Sequence, residues 1–132
     1  MVPPPIQKQA KKCSEATLHG TYLFALDGVD ITGGDQVPYA AAGYEVYDGN
    51  GKVKGVSSQN FNGEVFRHEF SGTYTVKADC TGTVTYPDGE PSRYDLFVAP
   101  DGSMFTFVGT NPPEQVTSGS ELRGTAKRVG DD

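Results

Sequence analysis

The sequence predicts an all-β protein: one eight-stranded, antiparallel, up-and-down β-barrel of calycin-like form. Three observations predict it. Seventeen Gly and nine Pro among 132 residues supply the special dihedrals that many tight turns require. Those turn residues recur at near-regular spacing, and apolar and polar residues alternate between them. Helical periodicity is missing nearly everywhere, leaving only residues 7–17 as a candidate for a short helical turn.

The turns divide the chain into its strands. They read Gly33-Gly34-Asp35, Asp48-Gly49-Asn50-Gly51, Asn62-Gly63, Asp79-Cys80-Thr81-Gly82, Pro87-Asp88-Gly89, Pro100-Asp101-Gly102 and Asn111-Pro112-Pro113. Asn62-Gly63 is the sharpest, because both residues accept the positive φ of a two-residue hairpin. Eight strands result, over 17–28, 37–47, 52–61, 64–78, 81–86, 92–99, 103–110 and 119–128. Short links between consecutive strands make a meander, and closure into a barrel removes the exposed edges. An immunoglobulin-like sandwich is the alternative. The absence of Trp and of Greek-key crossovers weighs against it.

A period of two sorts each strand into faces. In the first strand Leu18, Gly20, Tyr22, Phe24 and Leu26 point inward. In the second, either Tyr44 and Val46 or Glu45 and Tyr47 face the lumen, since both series carry an apolar residue. In the third, Lys52 and Lys54 point out, so Val53, Gly55, Ser57, Gln59 and Phe61 point in. The fourth places Glu64, Phe66, His68, Phe70, Tyr74 and Val76 on one face, opposite a polar face of Arg67, Glu69, Ser71, Thr73, Thr75 and Lys77. In the fifth, Val84 and Tyr86 face in and the threonines out. Phe97, or Phe105 and Phe107, remain for an outer surface.

At this length there is chain enough for one core and not for two. The expected organisation is a disordered Pro- and Lys-rich leader over 1–12, one barrel domain over 13–129 and a tail over 130–132. The leader (MVPPPIQKQAKK) holds no apolar h-region and reads as the remnant of a processed segment. A formal charge of −6 argues against nucleic acid, because the one basic cluster is Lys8, Lys11 and Lys12 in that leader. No apolar run approaches the roughly 18 residues of a membrane-spanning helix, so no membrane partner is expected. Cys13 and Cys80, if paired, would tie the start of the first strand to a distant turn. An even cysteine count in such a chain fits a secreted or periplasmic protein, with free thiols in the cytoplasm as the alternative.

The stretch from Glu45 to Phe61 (EVYDGNGKVKGVSSQNF) resembles the strand–turn–strand of allene-oxide-cyclase-like barrels, including the spirotetronate cyclases that close rings by intramolecular Diels–Alder reactions. The likeness is carried by an acidic residue, Tyr47-Asp48, a Gly-containing turn, Gly55, Ser57-Ser58 and Asn60-Phe61. It covers about one-eighth of the chain. The resemblance implies a barrel, a cofactor-free isomerase or cyclase activity, and assembly as a dimer or trimer. Allene oxide cyclases are similar in keeping a buried carboxylate. The chain is also similar to secreted bacterial barrel proteins of unassigned function. That likeness rests on Cys13 with Gly20-Thr21-Tyr22, on Gly72–Val76 and Asp79–Thr83, and on Gly124–Lys127.

Chemistry-bearing residues are sparse. Two His and two Cys at no ligand-like spacing leave no metal site, and Asp48-Gly49-Asn50-Gly51 lacks the further ligands of a calcium loop. No nucleophile elbow occurs, and Thr117-Ser118-Gly119-Ser120 reads as a loop. No phosphate loop occurs either, so no cofactor is expected. Three groups of candidates remain. Glu64 and His68 share a strand face about 13 Å apart, able to flank a ligand from different depths; a His in an apolar lumen serves as acid or base near neutral pH. Glu45, if it faces in, is a carboxyl whose pKa burial would raise. Tyr22, Phe24, Tyr47, Gln59, Phe61, Phe66, Tyr74, Tyr86 and Tyr94 form the expected wall for a small apolar molecule with a few oxygens. The expected function is a cofactor-free isomerase or cyclase that restrains such a molecule; the alternative is a secreted, lipocalin-like carrier.

Overall fold

A computed structural model describes residues 12–31, 35–87, 93–110 and 120–131, without the side chains of 120 and 121. Eight strands follow in order: β1 (His19–Asp30), β2 (Val37–Asp48), β3 (Lys52–Phe61), β4 (Glu64–Val76), β5 (Thr81–Thr85), β6 (Arg93–Val98), β7 (Met104–Gly109) and β8 (Ser120–Gly130). Each pairs antiparallel with its neighbour, and β8 returns to β1, so the sheet is a closed up-and-down barrel. The sandwich alternative is thereby excluded. Asn62 and Gly63 take φ of 50° and 100°, as the sharpest hairpin demands. The leader over 1–11 and the turns at Gly33-Gly34, Asp88-Gly89 and Asn111-Pro112-Pro113 lie outside the described residues, as does the loop over 117–119. Among the described residues no helix is long and apolar enough to cross a membrane.

One end of the barrel, here called the base, carries the short β2–β3, β4–β5 and β6–β7 connections. Of the expected helical turn over 7–17, the described part, from residue 12 on, holds a 3-10 turn, Glu15–Thr17. A capping box starts it: Ser14 Oγ accepts from the Ala16 N–H, while Thr17 Oγ1 accepts from the Ser14 N–H. The turn lies beneath the barrel and seats Leu18, wholly buried, as its plug. Burying that side chain contributes about 1.5–3 kcal/mol. Three tethers hold the plug. Cys13 and Cys80 are disulfide-bonded. Tyr74 Oη lies 2.8 Å from the Glu15 carbonyl and 2.9 Å from that of Leu18. The Glu15 carboxylate accepts from the Val76 N–H at 2.9 Å.

Inside, the largest fully buried side chains are Tyr22, Tyr47, Phe105, Leu18, Leu96 and Leu122. The Tyr47 ring meets those of Tyr22 and Phe105 edge-on, at 5.4 and 5.6 Å between centroids. Two inward glycines let bulky cross-strand partners lie over the backbone. A methyl at Gly55 would meet the Phe70 ring, and one at Gly124 the Phe107 ring, each at 2.7 Å. The ambiguity of β2 resolves: Glu45 and Tyr47 point inward and are buried, while Tyr44 is 44% exposed. Phe105 and Phe107 are interior; Phe97 is the outward one.

β4 behaves as two strands in one. It pairs with β3 along its length from Glu64 to Thr73, but with β5 only from Thr73 to Val76. Its first half, paired only with β3 among the described residues and here called the arm, rises past β5 at the open end. Beside it are the upper parts of β1, β2 and β3, which stay paired with one another. The expectation that Glu64, Phe66 and His68 face an enclosed lumen is corrected here. All three are exposed, although they share the face of Phe70 and Tyr74, because no β5 partner stands beside them among the described residues.

Candidate functional site

Above the plug the barrel is hollow, with a cavity of about 170 Å³. For scale, an engineered protein cavity of about 150 Å³ binds benzene. The hollow arises from side-chain size on two adjacent strands. The inward series of β2 reads Tyr39, Ala41, Gly43, Glu45, Tyr47, and that of β3 reads Val53, Gly55, Ser57, Gln59, Phe61. Ala41, Gly43 and Ser57 thus stand together in the β2–β3 register and leave room, while the Phe70 ring fills the place over Gly55. The facing wall is large and apolar, with Leu96, Phe105, Phe107 and Tyr94. Phe24 and Leu26 complete it from β1.

Glu45 lies at the cavity wall, 5% exposed. Its cross-strand partners are Tyr22 on β1 and Gly55 on β3, and the Phe70 ring of β4 reaches over Gly55 beside it. Two tyrosines hold it. Tyr47, two residues on along the same face, donates to Oε2 at 3.1 Å, and Tyr86, just past the end of β5, donates to Oε1. Burial raises the carboxyl pKa to about 7, and the two hydroxyl donors restrain the rise. Burial, followed by the nearby carboxylate, pushes both tyrosine hydroxyls well above their ordinary range, so they remain neutral donors. The result is a carboxyl able to lose or gain a proton near neutral pH inside an apolar chamber, which is the condition for general acid–base work.

Of the residues expected at the site, Glu45, His68, Phe24, Tyr47, Gln59, Tyr86 and Tyr94 line one cavity. His68 reaches it from the arm, where its ring nitrogen meets Gln59 Nε2 at 3.4 Å. The rest lie elsewhere. Tyr22 and Tyr74 point to the base, where the Tyr22 hydroxyl donates to the Gly102 carbonyl and Tyr74 holds the plug. Phe61 and Phe66 pack edge-on against each other in the upper arm, 6.2 Å apart, and Glu64 is exposed beside its hairpin turn. Ser57, Leu96 and Phe107 line the cavity without having been marked for it. For Ser57 the signal was present: a hydroxyl in an inward series next to Gly55. Among the described residues no three His, Cys, Asp or Glu side chains gather to hold a metal ion.

The expected Cys13–Cys80 pairing is formed, across a separation of 67 residues. A bridge of this kind points to a non-reducing environment. No family model matches the chain, and no curated protein matches it. One solved structure, described as "Structure of a redesigned beta barrel, mFAP1, bound to DFHBI", is similar at 19% identity over 86% of this chain and 97% of that one, with a TM-score of 0.48.

Proposed function

We propose that the protein takes one small apolar molecule into its lumen and acts on it as a cofactor-free isomerase or cyclase. The observation that carries this reading is Glu45: a carboxyl in an apolar, open cavity, clamped by Tyr47 and Tyr86 and poised near neutrality. In this reading the wall of Phe24, Tyr94, Leu96 and Phe107 restrains the molecule and excludes water, and Glu45 gives or takes the proton. His68 and Gln59 attend the entrance from the arm. The likeness of residues 45–61 to allene-oxide-cyclase-like barrels supports the class of reaction.

The setting proposed is the secreted or periplasmic space, which the Cys13–Cys80 bridge supports. A dimer or trimer is part of the proposal. Leu23, Tyr44 and Val56, exposed and side by side on the outside of β1, β2 and β3, supply an apolar contact for it.

The test compares wild type with Glu45→Gln. Each unreduced protein is incubated with a lipid extract, isolated, and its adduct released and identified by native mass spectrometry and chromatography. The proposal expects adducts of equal mass but different retention, substrate from the variant and rearranged product from wild type. The same compound from both proteins would establish the carrier instead. An adduct from neither would remove the lumen from consideration.

A further inference from the structure

The wall of β3 carries a second polar group that the acid–base reading does not use. Ser57 is 4% exposed and lines the cavity, yet its Oγ has no hydrogen-bond partner among the described residues. Buried hydroxyls are ordinarily satisfied, so an orphan in the wall of a cavity calls for an explanation. Its neighbours are all engaged or mute. His68, directly across on β4, meets Gln59 instead. Gly43, directly across on β2, has no side chain to offer. Glu45, the diagonal neighbour, has one oxygen on Tyr47 and the other on Tyr86.

We infer that the molecule received by the lumen is an oxygenated apolar compound, a ketone or aldehyde in class, whose oxygen accepts from Ser57. This rests on the lumen reading above and narrows it, since a plain hydrocarbon filling the lumen would offer the Ser57 O–H no acceptor. The register adds geometry. Gly43 pairs with Ser57 and Glu45 with Gly55, so Glu45 and Ser57 are diagonal neighbours on adjacent strands, about 7 Å apart or less. The proton-transfer group and the oxygen contact therefore share one wall, and the carbon that Glu45 serves lies only a few bonds from the oxygen. The opposite wall, Leu96 and Phe107, takes the hydrocarbon part.

Acetophenone and ethylbenzene are probes of nearly equal shape that differ in the carbonyl oxygen. Their dissociation constants are measured by NMR titration on wild type and on Ser57→Ala. The inference expects acetophenone to weaken about five- to tenfold in the variant while ethylbenzene binds as before. Ethylbenzene binding also reports that the variant is folded. Equal changes for both probes would mean that packing or water alone serves Ser57; that result overturns the inference and leaves the lumen reading standing. If neither probe binds wild type, the lumen reading fails and the inference with it.

Discussion

The base and the mouth of this barrel are built from the same strands and treat polar groups in opposite ways. At the base the hydroxyls of Tyr22 and Tyr74 are spent on backbone carbonyls, the Glu15 carboxylate on a backbone N–H, and two cysteines on each other. Higher up, Glu45 is buried at a raised pKa, Ser57 has no partner, and the aromatic residues of the arm stand half in solvent. The difference separates holding from handling. Satisfied groups lower the energy of the fold; a charge-shifted carboxyl and an orphan hydroxyl raise it, and persist where a ligand gives them work.

Substitutions sharpen that contrast. The largest effect is expected at the base: Cys13→Ser with Cys80→Ser removes a cross-link over 67 residues, a loss of about 4 kcal/mol on the chain-entropy account, read as a lower urea midpoint. Next comes Glu45. Its folded pKa of about 7 lies above that of an unfolded carboxyl, so the native state holds the extra proton between them. Stability is therefore greatest below pH ~4.5 with respect to this group, falls as pH rises toward 7, and is about 3 kcal/mol lower beyond it. Urea unfolding of Glu45→Gln across that range should lack this decline; an unchanged slope would assign the pH dependence elsewhere. Third, Tyr74→Phe, which frees the Glu15 and Leu18 carbonyls, should cost about 1–2 kcal/mol and leave lumen binding intact. Last, Phe66→Ala in the arm, where the ring is 49% exposed, should stay within about 0.5 kcal/mol of wild type. A loss there comparable with that at Tyr74 would erase the contrast between the two ends.

How much of this was legible follows from what a period of two can say. Turn chemistry located the strands to within a few residues, since Gly, Asn, Asp and Pro at the links each have a local reason to be there. Alternation assigned faces wherever one series was plainly polar, as with Lys52 and Lys54. It failed on β2, because outward Tyr44 belongs to an exposed apolar row with Leu23 and Val56, and so matches inward Tyr47 in character. It also failed in height. Parity correctly put Glu64, Phe66 and Tyr74 on one face, but cannot tell where the neighbouring strand stops. Tyr22 and Tyr74 were sound as core residues, and only their hydroxyl partners reveal that they belong to the base rather than the cavity. Glu45 was visible as a candidate; its clamp by Tyr86, 41 residues away, was not.

The seam between β1 and β8 has a consequence for synthesis. Asp30 faces Ser120 and Tyr22 faces Arg128, so the first strand finds its second neighbour only in the last. On the ribosome, β1 can pair with β2 early but must wait, one edge bare, until β8 has emerged about a hundred residues later. The interval before that seam shuts is when this protein is most exposed to pairing with a stranger, and whatever shortens it raises the yield of folded barrel.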